Sequence, residues 1–189
     1  MKKNHKYCFF ALVLFTGILL LTDGCKKKDT PLEIGQTYAG GIIFYLDNTN
    51  QHGMVCAPSD QSTGIAWSNG AFISVAGAYG SSTGTGKANT EAIVAAQGSG
   101  NYAAKICNDL VLNGYSDWFL PSHSECFNMY TSLQLMRDIG NFAHPPTIYW
   151  TSTEATASLA YSQYGNDGYL PTGGYYKNSA YNVRAVRAF

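Results

Sequence analysis

The sequence is short of charge. Lys, Arg, Asp and Glu make up 13% of its 189 residues, roughly half the share of an ordinary soluble domain. Neither sign is in excess, at 12 basic against 12 acidic residues. Because Lys2, Lys3, Lys6 and Lys26 to Lys28 all lie at the amino terminus, the remainder is mildly acidic, and a nucleic-acid partner has no electrostatic support. Cysteines in C-x-x-C spacing are missing as well. Beyond Cys8 and Cys25 the chain has Cys56, Cys107 and Cys126, which argues against a zinc site and leaves room for one disulfide at most. Cys126 reads more simply as a small buried hydrophobe. Gly84-Thr85-Gly86-Lys87 lacks the Ser or Thr that a phosphate-binding loop needs after its lysine. In the turn Asp47 to Gly53 the calcium-loop register fails at Thr49, and no Glu closes it. His52, His123 and His144 stand in separate contexts without a nucleophile, and Glu154 has no second carboxylate nearby in sequence. No metal or cofactor is therefore expected, and an enzyme is the weakest reading.

Long apolar runs are also scarce, with one informative exception. Lys2, Lys3 and Lys6 precede the run 8–21 (CFFALVLFTGILLL), which suits the core of an export signal better than a membrane span. It ends in Leu-Thr-Asp-Gly-Cys, so Gly24 and Cys25 are similar to a lipobox whose cysteine becomes lipid-modified. The expected division is a signal peptide over 1–24, a lipidated Cys25 with a polar tether over 25–33, and one domain over 34–189. An ordinary secretory signal or an uncleaved anchor is the competing reading. Lipidation at Cys25 would hold the protein to a membrane without embedding it. The expected location is the cell envelope, as an outer-membrane lipoprotein on either the periplasmic or the surface side.

Gly, Ser, Thr, Asn and Tyr dominate the remainder. A short strand is expected over Ile34 to Tyr38, then a hairpin of Ile42–Leu46 with Met54–Ala57. Residues 58–89, around Trp67 and Phe72, read as a long surface loop. Thr90 is expected to cap a helix over Glu91–Gln97, and Asn101 to begin a second that stops at Asn113-Gly114. Trp118-Phe119-Leu120 reads as a short strand. Ser122 and Glu125 form a capping box, so a helix begins there, with Cys126, Met129, Tyr130 and Leu133 on its apolar face. Strands follow at 148–153, 159–164 and 182–189, with a turn at Gly165-Asn166-Asp167-Gly168. Helices confined to the middle and strands on both sides predict an α+β domain with a mainly antiparallel sheet, two central helices and long loops, in which first and last strands could pair. Trp67, Trp118 and Trp150 are expected in the core, and Arg184 and Arg187 are expected to meet internal carboxylates such as Asp117 or Glu154.

The blocks GGIIFYLD, CAPSDQSTGIAW, ICNDLVLNGYSDWFLPSHSE, IYWTSTE and YNVRAVRAF, in that order, resemble the domain named for the C-terminal part of the Legionella collagen-like protein and the related Fibrobacter major paralogous domain. The resemblance spans about Gly35 to Phe189 and implies a C-type lectin-like fold. One branch is similar to adhesins that bind sulfated glycans through basic patches, which this mildly acidic domain lacks. The chain has Ser68 where relatives carry Cys, and Cys126 where Leu is common. The calcium-ligand triplets of sugar-binding C-type lectins are missing. Fold analogy to formylglycine-generating enzymes is weakened by the lack of their cysteine arrangement.

The functional reading is then a membrane-anchored binding module of adhesion type, with a glycan or a surface protein as partner. The alternative is a structural envelope protein without ligand. The candidate contact residues are Tyr164, Asn166, Asp167, Tyr169, Tyr175 and Tyr176, in a stretch from Tyr161 to Tyr181 where tyrosines alternate with small polar residues.

Overall fold

The computed structural model describes residues 31–135, 138–143, 147–164 and 174–189, and these belong to one compact unit, Pro31–Phe189. Cys25, His144, the 165–168 turn and the contact residues Asn166, Asp167 and Tyr169 lie outside the described residues. Among the described residues, nine strands and a few short helices make a mixed α+β fold dominated by sheet. Among the described residues no helix is long and apolar enough to cross a membrane.

The first sheet contains β1 (Thr37–Tyr38), β2 (Gly41–Leu46), β3 (Gly53–Cys56) and β9 (Val186–Ala188), in the order β1-β2-β3-β9. The hairpin β2–β3 forms as expected, with Ile43 opposite Val55. Its strands read as unbroken apolar runs because both faces are covered. Ile43 and Val55 enter a core built around Trp67, Trp118 and Trp150, while Phe44 and Met54 enter a second core with Phe119, Met129 and Tyr149. The last strand does join this sheet, but against β3 and not the first strand: Val55 faces Arg187. β3 offers a four-residue edge for this pairing, whereas β1 is only two residues long.

The second sheet has β4 (Ser62–Ile65), β5 (Ile148–Glu154), β6 (Leu159–Tyr164), β7 (Tyr175–Tyr176) and β8 (Tyr181–Val183), in the order β4-β8-β5-β6-β7. Its pairings are antiparallel except β5 with β8. The expected terminal strand 182–189 is thus two strands in two sheets. Arg184 marks the break. Its guanidinium is buried, donating through Nε to Asp60 Oδ1 at 2.6 Å and through Nη1 and Nη2 to the carbonyls of Ala57, Gly140 and Asn141. At the next residue Ala185 N donates to the Gln61 side chain and not to a strand neighbour. Arg187 meets Asp117 as expected, at 2.7 and 2.9 Å. Arg184 takes Asp60 instead of Asp117 or Glu154.

Three α-helices, not two, occupy the middle: α1 (Gly86–Gln97), α2 (Ala103–Asn108) and α3 (His123–Met129), the last running into a π-helical stretch at Tyr130–Leu135. The capping box is present: Ser122 Oγ accepts from Glu125 N while Glu125 Oε2 accepts from Ser122 N. The second helix stops at Asn108, before the expected Asn113-Gly114, which instead turn between Leu112 and Tyr115 at φ 53° and 82°. Trp118-Phe119-Leu120 contributes one bridge, Phe119 to Val186, and no strand. The tryptophans are buried as expected, and Cys56, Cys107 and Cys126 are buried free thiols, so the one disulfide left open by the sequence does not form among them. Burial pushes the Cys56 thiol up to about 11, and Cys107 and Cys126 upward as well, which makes all three poor nucleophiles.

Candidate functional site

The described tyrosines of the stretch favoured from the sequence divide between two faces of the sheet. Neighbouring residues of a strand point to opposite faces. Tyr175 is in register with Ala160, on the Trp150 side of the sheet, and its ring meets Tyr181 at 5.3 Å, which in turn lies 4.8 Å from Trp150. Tyr164, two pairs further along that face, is half-buried. Tyr176 faces the other way and is exposed. It shares that side with Tyr161, whose ring stacks on His123 at 4.9 Å. Of the six expected contact residues, Tyr176 alone is a described, fully solvent-facing aromatic.

The segment from Trp67 to Thr85 behaves differently. It has no regular structure, as expected for a long loop, although β4 and the first turn of α1 fall inside the predicted 58–89 span. A loop of this length in a compact domain needs its backbone groups satisfied. Many of them are met here by side chains of β5, α1 and α3 and by Lys177, just past β7. Glu154, fully buried at the end of β5, accepts from Val75 N at 2.6 Å, and its own amide donates to Ala78 O at 2.7 Å. Lys177, also fully buried, donates to Ile73 O at 2.9 Å, lies 3.4 Å from Glu154 Oε1 and sits 4.4 Å above the Trp67 ring. Asn89 of α1 clasps Gly80 through both its amide and its carbonyl, and Thr153 Oγ1 adds a bond to Gly80 O. Ser122 Oγ donates to Ser82 O at 2.9 Å, and Glu125 Oε1 accepts from Gly84 N at 2.7 Å and Gly86 N at 3.3 Å.

The charges of this frame are held in unusual states. Burial pushes the Lys177 ammonium below the ordinary lysine range, with the Glu154 carboxylate opposing it. Burial likewise raises the Glu125 carboxyl, against the pull of three backbone N–H groups. The His123 imidazole is lowered by burial, and its Nε2 is enclosed without a hydrogen-bond partner.

What the braced loop leaves outside is apolar and uncharged. Val75 and Ala78 plug into the core, while Phe72, Ile73 and Tyr79 remain 49%, 38% and 53% exposed. The Tyr79 hydroxyl hydrogen-bonds Ser74 Oγ, which ties that side chain back to the loop that carries Phe72 and Ile73. No residue from Ser68 to Thr85 carries charge. Such a surface offers stacking faces and neutral hydrogen-bonding groups, and no acid, base or nucleophile. The sequence signalled Phe72 within a Gly/Ser/Thr-rich span. It gave no sign of the anchors, because they lie up to 104 positions away.

Titratable groups do meet in a cleft of about 190 Å³ lined by Lys87, Glu91, Asn108 and Asp117. Asp117 is committed there to Arg187, whose guanidinium holds its carboxyl below the usual carboxylate range. That carboxylate is structural and not a proton donor. Among the described residues no group of three His, Cys, Asp or Glu side chains is placed to hold a metal ion.

No protein-family sequence model matches the chain, and no curated protein matches it. Among solved structures it is similar to a fimbrial protein from Bacteroides ovatus ATCC 8483, at 15% identity and a TM-score of 0.46, over 71% of this chain and 35% of that one. The chain thus spans about a third of that fimbrial protein's length, and likeness of this degree transfers neither fold nor function.

Proposed function

We propose that this protein is an envelope-anchored binding module of adhesion type, on a C-type lectin-like fold, tethered by a lipid on Cys25 and recognising its ligand through the loop Trp67–Thr85. One observation carries the reading: a loop without regular structure is clamped by the buried Glu154–Lys177 pair, yet three of its large apolar side chains face water. Fixing a loop before binding removes the ordering cost that a floppy loop would have to meet on binding. Aromatic tips among Ser, Gly and Asn are the composition of recognition surfaces in general. Tyr176 is exposed but lies off this loop and takes no part in recognition under this reading, while Tyr175 and Tyr164 support the sheet. The lipobox-like Gly24-Cys25 and the preceding apolar run support the anchor.

The test has two arms. Full-length protein in detergent is applied to an array of neutral, sialylated and sulfated glycans together with immobilised extracellular-matrix proteins; binding to any class is expected, and silence across all of them would leave a structural envelope role as the better reading. In the second arm, native protein should carry a diacylglyceryl mass on Cys25, and Cys25→Ala should leave the membrane fraction.

A further inference from the structure

We infer that the ligand of the braced loop is an uncharged glycan, stacked on the rings of Phe72 and Tyr79. This inference rests on the binding reading above and narrows it to one chemistry. Three observations lead there.

The first is charge. Ligands with sulfate or carboxylate groups are held by Arg or Lys, whose contribution is strongest where it is least screened. From Ser68 to Thr85 there is none, and Lys177, the cation among the described residues that reaches the loop from elsewhere, is wholly interior and engaged with Ile73 O and Glu154. Peripheral membrane segments likewise pair their aromatics with Lys or Arg facing the headgroups, which this loop does not offer.

The second is size. An aromatic side chain presents roughly 150–250 Å² in full. Three large side chains about half exposed therefore offer on the order of 300 Å². A stable protein–protein contact covers about 800 Å² on each side. The patch is too small for a protein partner and matches one or two sugar rings, whose C–H faces lie against an aromatic ring while their hydroxyls seek neutral donors and acceptors.

The third is the surrounding chemistry. The loop's exposed polar groups are neutral: Ser74 is tied to the Tyr79 hydroxyl, and the Asn69 side-chain amide, three positions before Phe72 in the chain, is held by Gln97 O at 3.3 Å and Ser99 O at 2.7 Å. Buried side chains hold the backbone at Ile73, Val75 and Gly80, so the chain that carries both rings is ordered before a sugar arrives.

The experiment uses full-length protein in detergent on neutral, sialylated and sulfated glycans, matrix proteins and zwitterionic lipid vesicles. The expected result is retention on neutral glycans, unchanged between about 0.05 and about 0.5 M NaCl. Phe72→Ala and Tyr79→Ala should each weaken it roughly two- to tenfold, with the thermal midpoint unchanged, whereas Phe72→Tyr, which keeps a ring, should retain it. Tyr176→Ala, an exposed tyrosine off the loop, should have no effect. Binding confined to sulfated or sialylated glycans, to matrix proteins or to vesicles would overturn this inference and leave the binding reading standing. Neutral-glycan binding indifferent to both ring deletions, or lost with Tyr176→Ala, would overturn it too. Silence on every ligand would remove both.

Discussion

Two surface loops of this protein look alike in composition and are held by opposite means. The turn between β2 and β3 holds itself: Asp47 Oδ1 accepts from Thr49 N at 2.9 Å and from Thr49 Oγ1 at 2.7 Å, and Asn50 supplies the left-handed residue at φ 53°. The loop Trp67–Thr85 is held from outside, by Glu154, Lys177, Asn89 and Glu125. A self-held turn tolerates loss of its own bonds because water replaces them. A loop held by buried charges has no such substitute. The comparison separates a connector from a platform built to present side chains.

The sharpest way to break that contrast is Glu154→Ala. It strands a buried ammonium and deprives Val75 N of its acceptor, and removing one partner of such a pair costs about 3–5 kcal/mol. Urea unfolding should register the loss, and limited proteolysis should cut between Ser68 and Thr85. The double variant Glu154→Gln with Lys177→Met keeps the acceptor, removes the charge and should recover most of the stability. If the double variant were no better than Glu154→Ala, the clamp would not be electrostatic.

Next in size is Gly86→Ala. A Cβ there would sit 2.2 Å from Glu125 Oε2 and 2.8 Å from Ser122 N, and forcing an atom into such a packed place costs about 1–3 kcal/mol. The loss should appear in the unfolding midpoint, with the amide signals of Gly84 and Glu125 shifted.

The two loops should also titrate with opposite sign. Glu125 binds its proton more tightly folded than unfolded, since burial raises its pKa. Its stabilising contribution is therefore complete below the ordinary glutamate value and is lost as pH rises through the raised one. Asp47, lowered by Thr49, contributes above its ordinary value and loses that contribution as pH falls through the lowered one. Carboxyl NMR titration of both residues checks the directions, and Glu125→Gln should flatten the component that falls with rising pH. The smallest effect belongs to Asp47→Ala, which should leave the unfolding midpoint within error and move only the amides of Thr49 and Gln51.

Much of the fold was legible from local signals. Ser122 and Glu125 announced the start of α3 through a capping box, Ile42–Leu46 announced a buried strand by β-branching, and Trp67, Trp118 and Trp150 went to the core. The tyrosines show what composition leaves open, since it carries no facing: Tyr175 and Tyr176 are chemically alike, and only the β6–β7 register turns one inward and the other out. Thr90 misled for a related reason. It has the chemistry of a helix cap, yet its hydroxyl bonds Gly86 O and Leu120 O inside α1. The helix begins at Gly86, five residues before the expected Glu91, because Glu125, from α3, accepts from the amides of Gly84 and Gly86 at its start.

By itself the sequence determined the mixed helix-and-strand character, the hairpin, the α3 cap, the tryptophan core and a loop at Phe72, since each depends on residues a few positions apart whose geometry is local. Tertiary structure alone decided where α1 starts, which acid meets Arg184, how the final strand divides and whether the loop is slack or fixed. These depend on groups distant in the chain and brought together only when burial removes water as the competing partner.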